Sequence, residues 1–330
     1  MPLGSIGDSF SAFFDAVGDF FGSVAAIQWF ALVAALCLFG IYLSLRARAS
    51  FNILRAAYPD EKIDFRYIWG AYIAAYGFNS VVPARGGDVI RLFLTRSSIP
   101  NASYPAVASS FAVELVFDLC MAIPVMAFAF SQGVFPKPPD FSKLPAFDLA
   151  FFASHPRFTL FLLTVLAIAT LAAFALLSAR VRAFWERVRQ GLTILSDRRR
   201  YLREVFAIQF VGWLFRFAAF FMLLEAFNVG GSVRNVLLVL GVNAVAALVP
   251  FTPGGAGVQQ ALLVKVFAGT AAGATVAAYS VGQQIAIASF TFAMGFAALV
   301  FVFKIRSFKQ VIAQGQAARG TEGQEAEVTA

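Results

Sequence analysis

Five apolar runs, each long enough to cross a bilayer as a helix, set the limits on what this chain can fold into. They cover roughly residues 27 to 45, 105 to 130, 158 to 178, 204 to 227 and 276 to 303. At about 1.5 Å per residue, about 20 residues cross a hydrocarbon core of about 30 Å. With 60% hydrophobic residues, 13% charged residues and a mean hydropathy of +0.76, the 330-residue chain lies far outside the soluble globular range. The reading is an all-α polytopic membrane protein with a single membrane domain.

Charge placement orients the runs. Arg46, Arg48 and Arg55 follow the first run, which puts residues 46 to 66 in the cytoplasm and the amino terminus outside. No Lys or Arg precedes Arg46, so the positive start of a signal peptide is missing. Instead Phe10, Phe13, Phe14, Val17, Phe20, Phe21 and Val24 share one helical face, with Asp8, Asp15 and Asp19 opposite. Residues 1–26 therefore read as an interfacial amphipathic helix. Residues 179 to 203 carry eight arginines against Glu186 and Asp197 and are cytoplasmic as well. Two full runs lie between these basic segments and already return the chain to the cytoplasm. The interrupted segment 67 to 96 must then enter and leave from the inside. By the same count, segment 235 to 268 dips in from the outside, and the last run delivers Lys304, Arg306 and Lys309 to the cytoplasm.

Parity thus gives about five full spans and two re-entrant broken-helix hairpins of opposite orientation. Repeat one covers 27–130, a connector span 158–178, and repeat two 204–303, within a membrane domain 27–303; residues 304–330 form a polar, disordered cytoplasmic tail. The breaks match. "NSVVPARGGD" and "NAVAALVPFTPGGAGVQQ" are led by Asn79 and Asn243 and broken by Pro83, Gly86 and Gly87 or by Pro253, Gly254 and Gly255. Transporters built from inverted repeats place broken helices and the substrate site where the halves meet, and helix-free backbone at that depth must face protein or a wet cavity.

"FNSVVPARGGDVIRLFL", "SSFAVELVFD" and "PFTPGGAGVQQALL" resemble, in that order, the signature segments of the lysylphosphatidylglycerol synthase transmembrane-region family. This is the flippase-like membrane domain also found at the amino end of the multiple peptide resistance factor. The likeness covers residues from about 40 to 303. It implies translocation of a lipid or handling of a lipid-linked substrate, with inverted repeats and re-entrant elements. The family pattern usually has Glu where this chain has Asp88 and Gln260, an Arg where Leu115 follows Glu114, and one more span at the amino end. Because no aminoacyltransferase segment follows residue 303, the chain is expected not to be a synthase.

Certain residues invite chemistry. Arg85 and Arg91 flank Asp88 where a half-helix begins, and Gly86 and Gly87 let a phosphate approach its free N–H groups. The set reads as a site for an anionic headgroup, with Arg85 pairing bidentately to phosphate. The structural alternative is a helix capped by Asp88, with arginines that reach lipid phosphates at the surface. In the second hairpin, Gly254, Gly255 and Gly257 offer backbone donors, and Asn243, Gln259 and Gln260 add neutral polar groups; close helix packing is the alternative there. Glu114 and Asp118 lie four apart on one face of an apolar run. Intramembrane carboxylates are costly and need a partner or a cavity, and Arg216 is the expected partner, in a structural ion pair or in gating and ion coupling.

The remaining signals mostly exclude. Cys37 and Cys120 sit in apolar runs without a metal or disulfide pattern and read as packing residues, and His155 is the only histidine, so no metal and no cofactor is expected. The net charge of +8 is positive-inside charge, not a nucleic-acid footprint. The expected function is transbilayer translocation, as flippase, scramblase or carrier, of a phospholipid or lipid-linked molecule with an anionic headgroup. No ATP-binding P-loop is present, so the drive is an ion gradient, the membrane potential or the lipid gradient. The alternatives are a membrane-embedded transferase and a non-transporting assembly subunit. The expected partner is membrane lipid as substrate, with a homo-oligomer or a lipid-modifying enzyme as compatible associates, in the cytoplasmic (inner) membrane.

Overall fold

The computed structural model describes residues 22, 26–80, 86–132, 184–246, 257–269 and 271–304. The expected amino-terminal interfacial helix, the connector span 158–178 and the carboxyl-terminal tail lie outside them, apart from residues 22, 26 and 304. The described residues are helical, with no β-strand among them. We label the helices α1 (Trp29–Ala57), α2 (Phe65–Asn79), α3 (Gly86–Ser97), α4 (Tyr104–Ser131), α5 (Arg198–Ala226), α6 (Val233–Ala246), α7 (Val258–Val266) and α8 (Gly273–Phe301). Four of them, α1, α4, α5 and α8, are long and apolar enough to span a membrane. The all-α polytopic fold is as the sequence implied.

Local chemistry explains where helices start. Asp64 caps α2 by accepting from Arg66 N at 2.9 Å, and Asp197 caps α5 by accepting from Arg200 N at 2.9 Å. Gly257 has φ +86°, a conformation open to glycine, and its N–H donates to Gln260 Oε1 at 2.6 Å at the start of α7. Within α5 a π-helical turn, Leu202–Phe206, leaves the regular ladder, and Asn52 Nδ2 donates to Glu204 O at 2.7 Å beside it. Residues 46 to 57 are the end of α1 rather than a loop. At about 1.5 Å per residue, α1 is about 43 Å long and outruns the hydrocarbon core of about 30 Å. Its basic residues are therefore carried on a helix.

Among the described residues, two sets of four helices exchange partners. α1 packs along α5 in antiparallel fashion: Gln28 N donates to Ala226 O at 2.9 Å at one end, and Asn52 meets Glu204 at the other. α2 and α3 form an antiparallel hairpin, with Leu94 of α3 packed among Ala71, Ala74 and Phe78 of α2. That hairpin's first helix packs on α8, the last helix of the other set, and α6, the first helix of the second hairpin, packs on α4. Exchanging α1 with α5, α2 with α6, α3 with α7 and α4 with α8 preserves these principal contacts.

Glycine makes both exchanged contacts. A Cβ on Gly77 of α2 would lie 2.4 Å from Thr291 O of α8, and one on Gly241 of α6 would lie 2.8 Å from Ala129 Cβ of α4. Each glycine stands two residues before the asparagine of its break, in "GFN" and "GVN". The largest core cluster joins α1, α2, α4, α5, α6, α7 and α8.

Candidate functional site

Asn79 and Asn243 perform one task in the two hairpins. Asn79 Oδ1 accepts from Gly87 N at 2.8 Å and its Nδ2 donates to Asp88 Oδ1 at 2.8 Å, tying the end of α2 to the first turn of α3. Asn243 Oδ1 accepts from Gln259 Nε2 at 2.7 Å, tying α6 to the first turn of α7. Gly87 is buried, and a Cβ there would lie 2.1 Å from Ala75 O. Its N–H and its missing side chain thus both serve hairpin closure. Gly86 opens α3. Arg85, Gly254 and Gly255 lie outside the described residues.

Both hairpins reach the middle of α8. Ser80 Oγ, at the end of the first arm, lies 3.5 Å from Thr291 Oγ1 and from Ala288 O. Gln260, in the return arm of the second, donates to Gln284. Gln284 and Thr291 are seven residues apart, about 10 Å along the helix. Next to Gln284 in the chain, Gln283 is 1% exposed, and neither its Oε1 nor its Nε2 has a hydrogen-bond partner among the described residues.

The charged residues gather beside the first hairpin. Arg46 grips both oxygens of Asp118, with its Nη2 at 2.9 Å from Oδ2, while its Nε donates to Tyr72 Oη at 3.0 Å. It also reaches Gln209 Oε1 at 3.3 Å and Glu114 Oε2 at 3.5 Å. Arg91 pairs with Glu114, donates to Ser50 Oγ at 2.8 Å and lies over the rings of Tyr72, at 4.3 Å, and Phe111, at 3.9 Å. Five helices, α1 to α5, contribute to this network. Two guanidinium groups balance two carboxylates, so it is neutral as a whole. The Arg46, Arg91 and Glu114 side chains are 10%, 12% and 4% exposed against 44% for Asp118, which makes Asp118 its open edge.

The expected pairing of Glu114 and Asp118 with Arg216 is corrected: their partners are Arg91 and Arg46. The reason is register. Antiparallel packing sets Arg46 beside Gln209, which leaves Arg216 seven residues, about 10 Å, further along α5. Arg216 instead lies 5.7 Å over the Tyr42 ring and 5.8 Å over the Phe220 ring, with its Nε unpartnered among the described residues. Cys37 and Cys120, expected to be packing residues, are both exposed.

Sequence reasoning found Glu114, Asp118 and Arg91 but missed Arg46, Gly77 and Gly241. Arg46 was counted with Arg48 and Arg55 as surface charge, because a charge count does not resolve which helical face each residue occupies. A signal for the glycines was present in their shared spacing to Asn79 and Asn243.

Residues 10–295 match the family described as the lysylphosphatidylglycerol synthase TM region. The chain belongs to that family. As a lysylphosphatidylglycerol synthase TM-region protein, it is an integral membrane protein related to lipid handling. No curated protein and no solved structure matches it.

Proposed function

We propose that this protein translocates a phospholipid or lipid-linked molecule with an anionic headgroup between leaflets, by rocking of two inverted repeats around their opposed hairpins. The observation that carries the reading is the exchange of first hairpin helices, with Gly77 set on α8 and Gly241 set on α4. Motion of either half then displaces the other half's hairpin. The convergence of Ser80 and Gln260 on α8 supports a shared midpoint for both breaks.

The charged network supplies the proposed coupling. Arg46 presents a planar fork of donors that fits a carboxylate or a phosphate equally well. Asp118 occupies that fork. A phosphate arriving at the open edge takes the fork from Asp118, and the return of the carboxylate expels the phosphate. Glu114 stays with Arg91, while Tyr72 and Gln209 hold Arg46 in place. Arg85 serves as the first contact for the headgroup, while Arg91 holds Glu114 in place. The neutral amides of the second half, Asn243, Gln259, Gln260 and Gln284, accept headgroup atoms without fixed charge. The protein acts as a transporter rather than an enzyme, in the cytoplasmic membrane with its amino terminus outside and carboxyl terminus inside, alone or with a lipid-modifying partner.

The test is reconstitution into liposomes with fluorescent phospholipids, with dithionite used to bleach the outer leaflet. The protein should raise the bleachable fraction above that of protein-free liposomes, and Arg46→Gln should abolish the increase.

A further inference from the structure

A groove of about 560 Å³ runs along the face of α1 away from the charged network, lined by Cys37, Gly40, Ser44 and Arg48 of α1, Phe65 of α2 and Met294 of α8. Its walls come from both halves, so it lies on the seam between them. The α1 lining recurs every three to four residues, the spacing of one helical stripe, and is small or apolar until its last member. That member is Arg48, exposed, without an ion pair among the described residues, and carried 5.0 Å over the Phe51 ring and 5.5 Å over the Phe65 ring.

We propose that this groove holds one acyl chain of an anionic phospholipid, with the lipid phosphate on Arg48. Length and charge both argue for this occupant. From Cys37 to Arg48 is 11 residues, about 16 Å of helix, close to the half-thickness of a hydrocarbon core of about 30 Å. A chain lying from Cys37 toward the basic end of α1 therefore spans one leaflet and brings its phosphate to the guanidinium. Rings on one side of Arg48 leave its donors free on the other, and a phosphate accepts two of them at once. Gly40 keeps the floor low: the nearest atoms to a Cβ there belong to the Phe290 ring, at 3.4 Å, and Met294, at 3.9 Å, ordinary van der Waals contact. Ser44 also accepts from Trp69 Nε1 at 3.1 Å, so Trp69 is a reporter against the groove wall.

The occupancy is read at equilibrium, without movement of lipid between leaflets, so its failure is distinct from failure of the translocation reading. The full chain retaining Trp69, with Trp29, Trp185 and Trp213 replaced by Phe, is placed in phosphatidylcholine vesicles containing a minor fraction of lipid brominated on its acyl chains. Brominated phosphatidylglycerol should quench Trp69 more strongly than brominated phosphatidylcholine at the same mole fraction. Arg48→Gln should erase that preference, Arg55→Gln should leave it intact, and Gly40→Leu should reduce quenching by both lipids. Equal quenching by the two lipids in the parent chain, or a preference that survives Arg48→Gln, overturns the proposal. Quenching that falls as protein density in the vesicle rises assigns the groove to a second copy of the chain and overturns it too.

Discussion

Arg46 and Asp118 face each other across the α1–α4 contact with two guanidinium nitrogens on two carboxylate oxygens. The pair joins a helix that packs along the second half to one that packs on the second hairpin. Its strength and its availability bear on both stability and transport.

The inner member of the network, Glu114, bridges both arginines at 4% side-chain exposure. Removing one partner of a buried ion pair leaves an uncompensated charge and costs about 3 kcal/mol or more. Glu114→Ala should therefore lower the apparent melting temperature in detergent. Combining Glu114→Leu with Arg91→Met should recover much of the loss, since it removes the orphaned charge as well. Thermal unfolding of both variants checks this.

Close approach at glycine makes a second prediction. Gly77→Ala and Gly87→Ala each place a methyl within 2.4 Å of a backbone oxygen, and overpacking of this kind costs about 1–3 kcal/mol or more. Gly77→Ala should loosen the contact between α2 and α8, whereas Gly87→Ala should open the first hairpin. Hydrogen exchange should report faster amides in α8 for the first and in α3 for the second.

The clasps should be modest in energy and local in effect. Asn79→Ala loses two side-chain hydrogen bonds and Asn243→Ala one, each bond contributing about 1 kcal/mol. Both variants should fold, with raised exchange at the first turn of α3 or of α7 respectively.

Much of this fold was legible because lipid admits few solutions. Long apolar runs announced α1, α4, α5 and α8, and charge parity drew attention to the two interrupted segments that become α2–α3 and α6–α7. The partner of Asp118 was not legible. Position within an apolar run favoured Arg216, but the register between α1 and α5 decides the pair, and register depends on side-chain fit between two largely apolar surfaces. The ends of helices were blurred for a related reason. Arg46 read with Arg48 and Arg55 as cytoplasmic charge beyond the first run, yet an arginine whose donors meet Asp118, Tyr72 and Gln209 can remain within a helix and inside the bundle.

Opposed hairpins predict opposed faces for their ends. With Cys37 and Cys120 replaced by Ser, a cysteine at Ser98 should react with an impermeant maleimide only from the cytoplasmic side, and one at Ser232 only from the outside. External labelling at 98 or internal labelling at 232 would remove the inverted topology.

The most direct test is lipid movement in liposomes, followed by dithionite bleaching, for the wild type and Asp118→Asn. Wild-type movement should exceed that in protein-free vesicles, and Asp118→Asn, whose neutral amide no longer competes with phosphate for Arg46, should move lipid more slowly. Wild-type movement no faster than in protein-free vesicles, or an Asp118→Asn variant as fast as the wild type, would contradict the translocation reading.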